Sequence, residues 1–285
     1  MENILKNIFK SCVEISNLLR EYVLENNMIN LKNDSGDDVK EMDIICNDIF
    51  YNNLSSCKDI IYFVSEEDSD KKLINCSGKY YITLDPLDGS SNVDNNNIVG
   101  SIFCIFKVDK NKNINSGRDI LLAGYCLYGP STQLVMSSKE NTYIYQLYGE
   151  EFKIIKDKII VPNSGKFYSC NYYKKNNYFE YYLNGLNKLE CNNKKNRWSG
   201  CMVADFHRIL LKGGVYMYPA SHDNLNGKIR LLYEILPFSF IIENCNGKSY
   251  NHSVSSLLDI PIDINNLHQK EPVILSSKKE YNYFN

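Results

Sequence analysis

Residues 84–92 run Leu84, Asp85, Pro86, Leu87, Asp88, Gly89, Ser90, Ser91, Asn92, an order that sets two chemistries side by side. Asp85 and Asp88 stand three residues apart around a proline, and carboxylate oxygens are the natural ligands of hard divalent cations such as Mg²⁺. Gly89, Ser90 and Ser91 follow at once. A turn of that composition can aim successive backbone N–H groups at one anion. Cation and phosphate ligands within one short run point to metal-assisted phosphoryl chemistry. An isolated Asp-Gly or Asp-Pro pair would be no more than a strand exit built from turn residues.

More acids stand at comparable places. Ser65, Glu66, Glu67 and Asp68 close the apolar run 60–64, and Glu234 ends a later run beginning at residue 229. Ligand sites of open α/β sheets gather at strand ends. Glu66, Glu67, Asp85, Asp88 and Glu234 brought together there would hold two or three cations, and without cations they would repel one another. Two metals can clamp both the attacking and the leaving oxygen of a phosphoryl group. Singly, the Glu66–Asp68 acids read as a solvated turn and Glu234 as a surface residue. Their weight lies in joint presence.

The elements that must position these groups follow from periodicity. Apolar residues recur at helical spacing over 3–25, from Ile4, Leu5 and Ile8 to Leu19, Tyr22 and Val23, which predicts an amphipathic helix facing a core. The polar stretch 26–40 is expected to be a mobile, solvated loop. A second helix is predicted over 41–54, and strands over 60–64, 80–84, 99–108 and 121–128. A hairpin is predicted from 134–136 and 142–147. A lobe boundary falls near 156–162. Beyond it the pattern predicts a polar helix over 176–189, a helix over 200–212 and a strand over 214–218. Asn226 and Gly227 make a turn. A further helix begins at Pro237 and ends at Asn246 and Gly247. Helices and strands alternate in both halves, so the fold class is α/β, in layers.

Composition excludes several roles. The chain has 285 residues, enough for a substantial core. A formal charge of −2 and a pI near 6.1 give no general attraction to nucleic acid or anionic membrane. No apolar stretch has the length of a membrane span, and the first residues lack the basic and apolar regions of a signal peptide, so a cytoplasmic setting is expected. The ten cysteines include no pair spaced two apart and sit mostly in apolar surroundings, which fits reduced, buried thiols. His207, His222, His252 and His268 show no metal spacing.

The runs 84–92, 65–68, 36–43 and 227–234 together resemble the fructose-1,6-bisphosphatase family of the eukaryotic and common bacterial type. Residues 123–129, 202–208, 213–220 and 268–275 add to the likeness, which runs in order from about residue 5 to about residue 280. The metal run alone would indicate only the wider group that includes inositol phosphatases; the later motifs narrow it to sugar bisphosphatases. The resemblance implies a five-layer α-β-α-β-α sugar-phosphatase fold in two lobes, 1–158 with the metal site and 159–285 with the substrate site. It implies hydrolysis of the 1-phosphate of fructose 1,6-bisphosphate. By position, Glu66, Asp85, Asp88 and Glu234 would bind one Mg²⁺, and Glu66, Asp85 and the Leu87 carbonyl a second. Asp37 would complete a third site and the catalytic group when its loop closes. Mn²⁺ or Zn²⁺ would substitute, and no other cofactor is implied.

Asp43 and Glu67 match the pair that takes a proton from the attacking water. The amides of Gly89, Ser90 and Ser91 would cradle the 1-phosphate, with Arg230 nearby. Asn171, Tyr218 and Lys228 match residues at the second phosphate, and Met202 and Gly200 residues beside the sugar. Arg197 matches an arginine that reaches a neighbouring subunit's site within a homotetramer. In isolation each has a plainer role: Lys228 and Arg197 as surface charges, Tyr218 as strand packing, Met202 as helix core. Trp198 stands where the family has a tyrosine; its indole N–H donates a hydrogen bond but cannot accept one. Tyr172, Tyr173 and Lys174 also depart from the family pattern.

The chain begins at about the family's second helix. The turn that cradles the phosphate of AMP lies before that point, although Lys79, Tyr80 and Arg118 match other AMP-site residues. The expectation is an enzyme that AMP does not inhibit. Sedoheptulose-1,7-bisphosphatase is the rival activity. An inositol-type monophosphatase would lack the Asn171, Lys228 and Arg197 regions. A non-catalytic metabolite-binding relative is the rival class, against which every acidic position named above is present.

Overall fold

The computed structural model describes residues 1–21, 31–32, 38–39 and 41–284. The predicted amphipathic helix forms as α1 (Glu2–Glu21), burying Ile4, Ile8, Cys12 and Ile15 along one face. Residues 22–25 lie outside the described residues, as does most of the predicted loop. Within that stretch β1 (Leu31–Lys32) and β2 (Asp38–Val39) pair antiparallel. Next come α2 (Glu41–Leu54), β3 (Ile60–Ser65), β4 (Lys72–Leu73), β5 (Tyr80–Asp88) and β6 (Val99–Lys107). They are followed by β7 (Ile120–Tyr128), β8 (Thr132–Ser138), β9 (Thr142–Tyr148) and β10 (Glu151–Lys156). Strands β3 to β10 form one eight-stranded sheet in the order β10-β9-β8-β7-β6-β5-β3-β4. Its one parallel pair is β3 with β5, so the acidic ends of both strands emerge at the same edge of the sheet.

The second half contains β11 (Phe167–Ser169), α3 (Glu180–Cys191), β12 (Lys195–Asn196), α4 (Met202–Lys212), β13 (Gly214–Tyr218) and β14 (Ile229–Arg230). After these come α5 (Leu236–Asn244), β15 (Lys248–Tyr250), β16 (Lys270–Glu271), β17 (Val273–Ser276) and α6 (Lys278–Tyr281). A five-stranded sheet runs β12-β11-β13-β17-β15. The predicted helix over 176–189 forms later, as α3. A 3₁₀ stretch, Tyr172–Asn177, precedes it. That polar run has no apolar face to bury, and Tyr178 turns inward so that its hydroxyl donates to the Asn171 carbonyl at 2.7 Å.

Period-two alternation along the strands separates three cores. On β6, Val99, Phe103 and Ile105 join the core under α1 and α2, while Ile102, Cys104 and Phe106 face the α4–α5 layer. On β13, Tyr216 faces that same helical layer, and Val215 and Met217 face α3 and Phe284. The stack is therefore α1–α2, large sheet, α4–α5, small sheet, α3 with α6. All ten cysteines are free thiols, eight of them buried, in keeping with the absence of a disulfide framework. No described helix is long and apolar enough to cross a membrane.

The small sheet is tied to α6 by a buried ion pair. Lys194 Nζ lies 2.6 Å from Glu280 Oε1, and the Glu280 side chain is fully buried. Ser164 Oγ and the Gly165 N–H donate to the same oxygen. Removing one charge of such a pair strands the other in the interior. Lys194→Met is predicted to destabilise the protein by about 3–5 kcal/mol, read as a lower urea midpoint. The double variant Lys194→Met/Glu280→Gln should recover much of the loss. A midpoint unchanged in the single variant would refute this role.

Candidate active site

Strand β5 does not stop at Leu84 as predicted but continues to Asp88. Its pairing with β6 jumps from Asp85↔Ile102 to Asp88↔Gly100, three residues on one strand against two on the other. Residues i and i+3 of a regular strand face opposite sides; the extra residue of a bulge resets that alternation. Pro86 brings no N–H to the ladder. The Leu87 N–H donates to Asp85 Oδ1 at 3.1 Å, and Ser101 Oγ holds the Pro86 carbonyl at 2.7 Å while contacting the Tyr128 hydroxyl at 2.9 Å.

Glu234 arrives from the far half of the chain. It lies in a single π turn, Leu231–Ile235, at the entrance to α5. Glu234 Oε2 accepts the Arg230 N–H at 2.7 Å, which points the carboxylate back across the turn. Asp85, Asp88 and Glu234 each offer an oxygen within 4.8 Å of the others. All three are buried, and a set of only oxygen donors suits a hard cation.

Glu66 and Glu67 leave β3 beside this cluster. The Glu66 N–H is anchored to the Leu84 carbonyl at 2.9 Å. The Glu66 carboxylate does not join the three-acid group in this structure; its Oε1 lies 2.6 Å from Arg230 Nη1. Arg230, placed by sequence beside the phosphate, thus neutralises a neighbouring acid. Glu66 Oε2 and Glu67 Oε2 are buried without a hydrogen-bond partner among the described residues, as expected of groups shaped for a ligand.

The electrostatics are those of crowded anions. Burial, then the charge of Glu234, pushes Glu66 up to about 8 despite the lowering effect of Arg230. Burial, then Glu66 and Asp43, pushes Glu67 up to about 8. Glu234 is raised to about 7 by burial, and burial lifts Asp85 well above the ordinary carboxylate range. Asp43, in the first turn of α2, is buried and is close enough for its charge to act on both glutamates.

The Gly89 turn sits directly after the bulge. Gly89 has φ 77°, and a Cβ there would lie 2.7 Å from Cys201 Cβ; both facts demand glycine. Ser90–Asn95 then forms a 3₁₀ turn. Asn92 Nδ2 bridges this turn to the Ser199 carbonyl at 3.2 Å, joining it to the segment that carries Arg197 and Trp198.

The residues that the resemblance assigns to substrate fall into two groups. The Asn171 side chain lies beside the Tyr218 hydroxyl, which the charge of Glu234 also reaches. Trp198 stacks on Tyr216 at 6.2 Å between ring centroids and tilts against Tyr218 at 5.9 Å. Asn171, Trp198 and Tyr218 therefore form one wall. Met202 is core under that wall, Lys228 is exposed, and Arg197 is exposed with its guanidinium over the Phe167 ring at 5.8 Å. Asp37 lies outside the described residues.

Sequence reasoning missed a supporting group around Asp68. Its Oδ1 accepts from Lys72 Nζ at 2.7 Å and Asn47 Nδ2 at 3.2 Å, and its carbonyl lies 3.2 Å from His268 Nε2. The only signal was the acid's place beside Glu67. Cys201, whose thiol donates to Asp88 Oδ2 at 3.0 Å, was also missed.

Comparison with known proteins matches both halves of this architecture. The family model for the fructose-1,6-bisphosphatase N-terminal domain matches residues 1–156, and that for its C-terminal domain residues 161–285. A class 1 fructose-1,6-bisphosphatase of Pseudoalteromonas translucida is 36% identical over 97% of this chain and 91% of its own length. A cytosolic fructose-1,6-bisphosphatase of Oryza sativa subsp. indica is 35% identical over 86% of this chain and 76% of its own length. The holo form of Leishmania major fructose-1,6-bisphosphatase superposes with a TM-score of 0.93 at 30% identity, covering 99% of this chain and 92% of that one. The chain belongs to the fructose-1,6-bisphosphatase family.

Proposed function

We propose that this protein is a Mg²⁺-dependent fructose-1,6-bisphosphatase that releases the 1-phosphate and is not inhibited by AMP. The observation that carries it is the buried Asp85–Asp88–Glu234 cluster abutting the Gly89 turn, with Glu67 and Asp43 in electrostatic reach. Asp85, Asp88 and Glu234 would hold the first cation, joined by Glu66 on leaving Arg230; Glu66, Asp85 and the Leu87 carbonyl would serve a second, and Asp37 a third. Bound Mg²⁺ supplies Lewis-acid charge to the phosphate oxygens and eases deprotonation of the attacking water.

Glu67, with Asp43 near it, takes the proton from that water as its oxygen bonds to phosphorus and the sugar-oxygen–phosphorus bond breaks. The departing sugar oxygen gains its proton from solvent, and Glu67 returns its own to solvent afterwards. Because Glu67 keeps its own proton to about pH 8 in the metal-free protein, it acts as a base only once positive charge fills the cluster. The amides of Gly89, Ser90 and Ser91 receive the phosphate, and Arg230, once released by Glu66, adds a fork of donors. Asn171, Tyr218, Trp198 and Lys228 bind the second phosphate and Met202 packs beneath the sugar. Arg197, exposed on its own subunit, serves the site of a neighbour in a homotetramer. The assembly works in the cytoplasm.

AMP insensitivity has support in Arg118. Its Nε donates to Asp259 Oδ1 at 2.8 Å, Nη2 to Ser256 Oγ at 3.0 Å, and Nη1 lies 3.5 Å from Glu243. A phosphate arriving there would displace two carboxylates and meet their charge.

Three outcomes are predicted. Purified protein releases phosphate from fructose 1,6-bisphosphate only with Mg²⁺, and Glu67→Gln lowers kcat by about 10²-fold or more with little change in KM. Full activity in the variant would remove the base role, and a wild type without Mg²⁺-dependent turnover would refute the function. Micromolar AMP leaves the rate unchanged; noncompetitive inhibition at that level would overturn the claim about Arg118.

The third outcome concerns pH. Folded Glu66, Glu67 and Glu234 hold protons that the unfolded chain releases above about 4.5, so their stabilising contribution is full below that pH and lost as pH rises toward 8. His207, lowered to about 4 by burial, acts in the opposite sense and only below about 6.5. Between pH 6.5 and 8 the Tm of EDTA-treated protein should therefore fall, and Mg²⁺ should raise Tm more at pH 8 than at pH 6.5. An equal gain at both values would contradict the raised carboxylates.

A further inference from the structure

Asp88 has a second attachment besides the acidic cluster. Its Oδ2 accepts the Val203 N–H at 2.6 Å and the Cys201 thiol at 3.0 Å. These donors form the start of α4. An N-cap residue usually satisfies the first amides of its helix with its own side chain. Cys201 occupies that position in extended conformation and makes no such bond. Asp88, arriving from the bulge of β5, caps α4 instead.

The fit around the sulfur is close. Cys201 is 1% exposed, and a Cβ on Gly89 would lie 3.3 Å from its Sγ. The thiol is thus wedged between the Asp88 carboxylate and the phosphate turn. Gly100 permits this approach, because a Cβ there would lie 2.6 Å from Val203 Cγ2. Helix α4 can therefore lie directly on β6 and bring its first turn to Asp88.

We propose that Cys201 is a positioning residue for the cation site: its thiol and the Val203 amide hold Asp88 Oδ2, fixing the carboxylate that borders the space shared with Asp85 and Glu234. The proposal rests on reading that cluster as a cation site. A ligating carboxylate held by an outer hydrogen bond loses less freedom on binding metal, and removing such a partner commonly costs 10–100-fold in affinity or activity. Serine would keep an O–H donor at this position; alanine and valine would not.

The test compares Cys201→Ser, Cys201→Ala and Cys201→Val for Mn²⁺ binding by calorimetry, alongside the Mg²⁺ half-saturation of activity and the KM for fructose 1,6-bisphosphate. Alanine and valine should weaken Mn²⁺ binding by about tenfold, raise the Mg²⁺ half-saturation in parallel and move KM by less than about twofold. Serine should stay within about threefold of wild type. Should alanine fail to fold by thermal melting, the valine–serine comparison decides. Wild-type binding in the donor-less variants would overturn the proposal, as would a serine variant as weak as alanine, which would reduce Cys201 to packing against Gly89. A wild type that binds no Mn²⁺ would instead refute the cation reading of the cluster itself.

Discussion

Mutual repulsion among buried carboxylates is the constraint around which this molecule is arranged. Asp43, Glu66, Glu67, Asp85, Asp88 and Glu234 share one interior region, and burial lifts most of them above their ordinary range. Arg230 relieves one of them through its contact with Glu66. The remaining charge must be met by protons or by cations, and a buried acid left unmet costs several kcal/mol. The three-acid group and its orphaned neighbours therefore favour binding over stability. The stability that this site withholds comes from three well-filled cores and from locks such as Lys194–Glu280.

Much of this arrangement could be read from residue order. The amphipathic stripe of α1, the strands β3 and β5 to β9 of the large sheet and the helix starting near Pro237 follow from spacing and turn chemistry; the edge strands β4 and β10 were not foreseen. The acids of the site were legible because their residue types and strand-end places have few other uses in combination. What escaped depended on contacts between distant segments. The bulge at Asp85–Asp88 is specified by pairing with β6, so the run 80–88 looked like a strand ending at Leu84. The late start of α3 follows from Tyr178 bonding back to Asn171, a local contest invisible to helical periodicity. Nothing in the order of residues 199–203 reveals that an acid more than a hundred positions earlier caps α4.

The wall of Asn171, Trp198 and Tyr218 shows the same division. Asn171, Trp198 and Tyr218 come from three different segments, and packing of Trp198 on Tyr216 and Tyr218 brings them together. Trp198 remains partly exposed, with its ring nearly parallel to Tyr216 at 6.2 Å between centroids.

The single parallel pair in the large sheet carries a consequence for how the site is divided along the chain. Because β3 and β5 run side by side with only β4 between them in the chain, Glu66, Asp85 and Asp88 belong to one short local unit. Glu234 and the capping turn of α4 belong to the other half of the chain. Contacts close in sequence cost less loop-closure entropy than those between distant segments. Bringing Glu66, Asp85 and Asp88 together thus closes a shorter loop than bringing Glu234 to them. The three-acid cluster is therefore a property of both halves of the chain and not of the 84–92 run alone.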